Sequence, residues 1–165
     1  MSHPNRITNA TIREMALDDR RTVIEILTTS DPWKRLGYTA SSWNQIFTPL
    51  PQGRDTFVMD QAGHVVGVAI LRQRFLFGDY LELLAVDPSR KGQGIGSQLL
   101  RYVESITFAR AQNLFACVSD FNDSARNFYK SQAYQEIGPM PNFLIPGSAE
   151  ILLRKTAGPA IRSSI

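Results

Sequence analysis

The chain has 165 residues, enough for one ordinary domain, and its 43% hydrophobic and 20% charged residues exclude disordered, fibrous and collagen-like classes. A single cysteine, Cys117, excludes an intrachain disulfide framework and a multi-cysteine zinc site, and two histidines, His3 and His64, leave little for a metal. The net charge is +3, but Arg154, Lys155 and Arg162 follow the last acid, Glu150, so the chain before them is neutral, which weakens a nucleic-acid reading and sets the expectation of no nucleic-acid partner.

Taken in order, residues 1–9 read as a flexible leader, 10–155 as one domain and 156–165 as a poorly ordered basic tail. Residues 10–16 alternate as a first strand. Asp18 or Asp19 can cap a helix over 19–29 that presents Val23, Ile26 and Leu27 on one face. A broken helical region spans 33–47, with a cap near Thr39 or Ser41. Two strands follow, joined by a turn at 60–63, and Gly78-Asp79 reads as the next turn. A third strand, YLELLAV, stops at Asp87-Pro88. A helix over 94–111 carries Ile95, Leu99, Val103 and Ile106 at a spacing near 3.6. Then come a strand over 114–119, a helix over 122–131, a strand over 134–137, a Pro/Gly-rich loop and a final strand over 150–155. Hairpins mixed with βαβ units imply an α/β fold, a mixed central sheet of about six or seven strands with helices on both faces.

The informative stretch runs from a buried strand through a Gly-rich loop into a helix: Val86-Asp87-Pro88-Ser89-Arg90-Lys91-Gly92-Gln93-Gly94-Ile95-Gly96-Ser97. Glycines at alternate positions let a ligand approach the backbone, and the helix start adds free N–H donors and a positive dipole end. Such a loop suits a phosphate or pyrophosphate. It lacks the Walker A pattern, and its G-x-G-x-G spacing is not the dinucleotide fingerprint. A Gly-rich turn without a ligand is the competing reading.

V-D-P-x-x-[QR]-G-x-G-[IL]-G entering a helix resembles the acetyl-CoA pyrophosphate loop of the GNAT superfamily of N-acetyltransferases, with Lys91 where the family usually has Gln or Arg. A second segment, Asn122 to Tyr134, is similar to the family's N-x-x-A-x-x-F-Y-x-x-x-G-F, with Ala133 for Gly and Tyr134 for Phe. The resemblance implies a GNAT-like three-layer α/β/α fold. It also implies transfer of an acetyl group from acetyl-CoA to a primary amine by direct attack in a ternary complex, without a metal.

The resemblance assigns backbone contacts with the pantetheine arm to Leu84, Ala85 and Val86, with the Val86 N–H on the thioester oxygen. Lys91, Gly92, Gln93, Gly94, Ile95, Gly96 and Ser97 would cradle the pyrophosphate. Asn122 caps a helix and would touch the cofactor arm, while Asn127 and Lys130 would reach the adenosine or phosphate end. Tyr129 matches the tyrosine that protonates the leaving thiolate, and core packing is its competing reading. Glu82, an acid in an apolar strand on the face of Leu84 and Val86, is a candidate base beside the alternative of an exposed or paired acid. Cys117 reads as a small buried hydrophobe. On the acceptor side, Trp33, Tyr38 and Phe143, with Trp43, form either an aromatic slot or ordinary core.

No stretch is long and apolar enough to span a membrane and the first ten residues have no apolar signal core, so the expected location is the cytoplasm, with no membrane partner. A homodimer is left open. A non-catalytic acyl-CoA-binding sensor or scaffold is the alternative function.

Overall fold

A computed structural model of the chain describes residues 9–50 and 52–161. Seven strands and four helices follow in the predicted order: β1 (Ala10–Glu14), α1 (Arg20–Thr28), α2 (Ala40–Ile46), β2 (Asp55–Gln61), β3 (His64–Phe75), β4 (Gly78–Val86), α3 (Ile95–Phe108), β5 (Asn113–Ser119), α4 (Asp123–Ser131), β6 (Gln135–Pro141) and β7 (Ala149–Thr156). They form one sheet in the order β1-β2-β3-β4-β5-β7-β6. Only β4 and β5 run parallel; every other neighbouring pair is antiparallel.

The helices make two outer layers because each has one apolar stripe to bury. On one face, Val23, Ile26 and Leu27 of α1 join Trp43 of α2 and Phe47 over Val58, Val68 and Ile70. On the other, Ile95, Leu99, Leu100 and Val103 of α3 and Tyr129 of α4 cover Phe57, Met59, Leu81 and Ala116. The caps follow local chemistry. Thr39 Oγ1 accepts from the Ser42 N–H at the start of α2, and Asn122 Oδ1 accepts from the Ala125 N–H at the start of α4.

Several boundaries differ from the sequence reading, β6 among them, which runs to Pro141, past the start of the loop expected after 137. The turn expected at Gly78-Asp79 falls on Leu76 and Phe77, both at positive φ. Gly78 and Asp79 are instead buried at the head of β4. A Cβ on Gly78 would lie 2.1 Å from the Asn113 carbonyl oxygen, so its glycine serves close strand approach rather than a turn. Asp79 is held by Thr107 Oγ1 at 2.7 Å and by the Arg110 guanidinium. Helix α3 ends at Phe108, and β7 extends to Thr156, one residue into the expected tail. The expected leader lies outside the described residues up to position 8, as does the tail from 162.

Candidate active site

Strands β4 and β5 pair only at Asp79–Leu114, Tyr80–Phe115 and Leu81–Ala116. Beyond that point β4 stays zipped to β3 as far as Val86, and β5 stays zipped to β7 as far as Ser119. The sheet therefore opens into a wedge between Glu82–Val86 and 117–119. The Asp87 N–H donates to the Val66 carbonyl at 2.9 Å, and Ala85 faces Val68 in the same ladder. Antiparallel alternation then turns the backbone groups of Val86 and Leu84 away from β3 and toward the wedge, where no strand among the described residues receives them. Their side chains pack against the α3/α4 core, and Ala85 points to the α1/α2 core.

A bulge separates Glu82 from these residues. Ile70 faces Leu83 and Leu71 faces Leu81, so Glu82 has no partner on β3. The regular alternation expected from YLELLAV fails here, and Glu82 does not continue the face of Leu84 and Val86. Its carboxylate meets Arg54 Nε at 2.7 Å and Arg72 Nη2 at 3.6 Å. The Arg54 contact is close but not aligned as a hydrogen bond.

The Gly-rich loop sits at the wedge's open end, between β4 and α3. Asp87 opens it, its Oδ1 accepting from the backbone N–H and the hydroxyl of Ser89. Gly92 and Gly94 have φ of 80° and 78°, the left-handed region that penalises side chains. Gly94 is the cap residue of α3, and among the described residues no side chain caps that terminus, which leaves its first N–H groups for a ligand. Gly96 has ordinary helical backbone, without the positive φ of Gly92 and Gly94. A Cβ there would lie 3.5 Å from Val86 and 3.7 Å from Phe128, on the side of the wedge that α3 and α4 flank. Lys91 and Gln93 are exposed, Ile95 anchors the helix in the core, and Ser97 Oγ accepts from Gln132 Nε2 at 3.2 Å. Arg90 is turned aside to Gln61 Oε1 at 2.7 Å. These free donors with an adjacent Lys91 fit a pyrophosphate, and the freed groups of Leu84 and Val86 fit an amide-bearing arm.

Tyr129 is buried between Phe128 and Tyr134, each 5.2 Å away by ring centroid and edge-on. Its hydroxyl has no hydrogen-bond partner among the described residues, and burial, aided by neighbouring Cys117, pushes the phenol's pKa up. It therefore keeps its proton at neutral pH. Core packing fixes the ring and leaves its hydroxyl without a hydrogen-bond partner among the described residues. Cys117, expected as a small buried hydrophobe, is half-buried, burial likewise raising its thiol, and exposed His64 is the first residue of β3.

Of the other expected residues, Asn122 is the α4 cap, while Asn127 and Lys130 lie exposed on α4 and do not reach the loop through any hydrogen bond among the described residues. Trp33 and Tyr38 come together on Trp43, at 6.1 and 4.8 Å, as a packed stack. Phe143 is 59% exposed on the β6–β7 loop and forms no aromatic pair with that stack among the described residues. Sequence reading passed over Arg54, Arg72, Tyr80 and the Ser119–Glu150 pair. No local signal marks them, because each matters only through neighbours on other strands. Among the described residues no group of side chains could hold a metal ion, and no helix is long and apolar enough to cross a membrane.

A mixed sheet split between two parallel strands, with a phosphate-type loop leading from the split into a helix, defines an acyltransferase fold. The model of the acetyltransferase (GNAT) family matches residues 15–134, and the chain belongs to that family. The N-alpha-acetyltransferase RimI of Mycobacterium tuberculosis is 30% identical over 93 residues, 56% of this chain and 58% of that protein, so the match spans little more than half of that relative's length. Ard1 from Thermoplasma volcanium has a similar fold, with a TM-score of 0.75 at 24% identity over 91% of this chain and 99% of that one. An aminoglycoside 6'-N-acetyltransferase complexed with coenzyme A gives a TM-score of 0.72 at 19% identity, over 90% of this chain and 98% of that one.

Proposed function

We propose that this chain transfers the acetyl group of acetyl-CoA to a primary amine by direct attack in a ternary complex. The observation that carries the reading is the wedge, with unpaired backbone groups along β4 and a glycine loop at its open end. The backbone groups of Leu84, Ala85 and Val86 line the pantetheine path. The N–H groups of 91–97, with the Lys91 charge, hold the pyrophosphate. The Val86 N–H donates to the thioester oxygen as negative charge develops there. Tyr129 gives its proton to the departing thiolate. Asn122, Asn127 and Lys130 flank the donor along α4.

Glu82 stands at the foot of the wedge with its charge already matched by Arg54 and Arg72. That trio orients the acceptor, with Trp33, Tyr38 and Phe143 on the surrounding elements. The curated relative is named as an N-alpha-acetyltransferase, which favours a peptide α-amine as acceptor. The neutral body of the chain favours a peptide or small amine over nucleic acid, and a cytoplasmic location supplies acetyl-CoA.

Thermal unfolding with acetyl-CoA, CoA and ATP tests the donor. Either CoA ligand at 100 times its Kd adds about 2.7 kcal/mol, and ATP adds nothing. Thiol release is then followed with a free-α-amine peptide, a lysine peptide, spermidine and an aminoglycoside. No shift with either CoA ligand removes the donor assignment. A shift without turnover of any amine replaces the enzyme with an acyl-CoA-binding sensor.

A further inference from the structure

One strand over from the wedge lies an acid that no feature of its own segment marks. Glu150 faces Ser119 in the β5–β7 register, and Ser119 stands three residues beyond Ala116, the last residue of β5 to pair with β4. Neighbouring strands are about 4.8 Å apart, so Glu150 lies one strand spacing from Ser119 on the wedge's β5 edge. The residue is 7% exposed. Its Oε1 accepts from Ser119 Oγ at 2.6 Å, and it forms no ion pair among the described residues.

A buried carboxylate without a cation costs stability, and a purely structural position would be served by an uncharged residue. The titratable groups facing Glu150 are Asp120, the Cys117 thiol and the Tyr80 phenol, and none is a cation. On β6, Met140 faces it and brings no charge. Burial raises its carboxyl above the usual glutamate range, Asp120 adds to that, and the Ser119 hydrogen bond opposes it. Glu82 differs in kind, since two guanidiniums already engage it.

We propose that Glu150 is the base that takes the proton lost by the attacking amine, directly or through one water. The inference rests on the acetyltransferase reading. In the step, the amine nitrogen bonds to the thioester carbon and the carbon–sulfur bond breaks. One amine proton goes to the Glu150 carboxylate, and the Tyr129 phenol proton goes to the thiolate. Glu150 then releases its proton to solvent, and Tyr129 regains one from it.

The test is Glu150→Gln in the full chain, which keeps an Oε1 acceptor for Ser119. Thiol release from acetyl-CoA is followed across a pH series with the amine that the wild type turns over. The variant loses at least about tenfold in kcat, general acid–base groups contributing about 10²–10⁴. Its KM for acetyl-CoA stays within about twofold. The wild-type kcat/KM falls on the acid side along a limb above the ordinary glutamate range. That limb is absent in the variant, leaving only the ionisation of the acceptor amine, near about 8 for an α-amine. Ser119→Ala removes the bond that favours the carboxylate and moves the limb to higher pH, which a structural serine would not do.

Stability gives a second readout. A carboxyl raised on folding stabilises below its unfolded pKa, and that contribution is lost as pH rises through the folded value. Glu150→Gln is therefore at least as stable as the wild type at neutral pH. An intact acid limb, or a kcat within about twofold of wild type, overturns the assignment while leaving the transferase standing. A wild type that turns over no amine overturns both.

Discussion

A Cβ placed on Gly67 of β3 would lie 2.7 Å from Cδ1 of Leu99 on α3. Leu99 is fully buried, so it has little room to yield. The same helix starts at the Gly-rich loop, which ties the depth of its seat on the sheet to the position of the site. Gly67→Ala therefore costs about 1–3 kcal/mol by overpacking, read as a lower urea midpoint with an unchanged slope. A midpoint equal to wild type would show that α3 slides freely on β3.

Gly94→Glu separates the loop from the fold. The new residue must adopt a φ near 78° and brings a carboxylate to a helix end proposed to receive phosphate. The left-handed conformation costs about 1–2 kcal/mol, which a cooperative domain survives. The expected outcome is cooperative unfolding at a lower Tm and loss of the acetyl-CoA shift. An undiminished shift would remove this loop from the donor site.

Tyr129→Phe removes one atom that has no hydrogen-bond partner among the described residues. Stability should change by less than about 1 kcal/mol, since only an unmade bond is lost. Acetyl-CoA affinity should hold, and kcat should fall at least about tenfold for loss of a general acid. An unchanged kcat would leave Tyr129 as core alone.

Acid stability should depend on Asp19. The Arg13 guanidinium, 2.7 Å away, holds this carboxyl below the usual range, burial opposes the effect, and the Ala16 N–H adds to it. A carboxyl lowered on folding stabilises above its unfolded pKa, and that contribution is lost as pH falls through the folded value. Asp19→Asn should be less stable than wild type at neutral pH, with the gap closing below about pH 4, the ordinary aspartate range. Arg13 is 38% exposed, so added salt should narrow the gap as well. A gap that ignores both pH and salt would show that the pair contributes only shape.

The sequence by itself determined the order of elements, the buried faces of α1 and α3, the Asn122 cap and the place of the Gly-rich loop between β4 and α3. These are local properties: a 3.6 spacing, a capping residue, glycines at fixed offsets. The tertiary structure alone decided which acids face the wedge. YLELLAV reads as uninterrupted alternation, yet pairing with β3 forces a bulge that hands Glu82 to Arg54 and Arg72. Nothing near position 150 announces a partner at 119, 31 residues earlier, because strand register is set by contacts between distant segments. The wedge itself has the same origin. It exists because β4 remains with β3 and β5 remains with β7 after the two strands part, a competition between pairings that no single segment encodes.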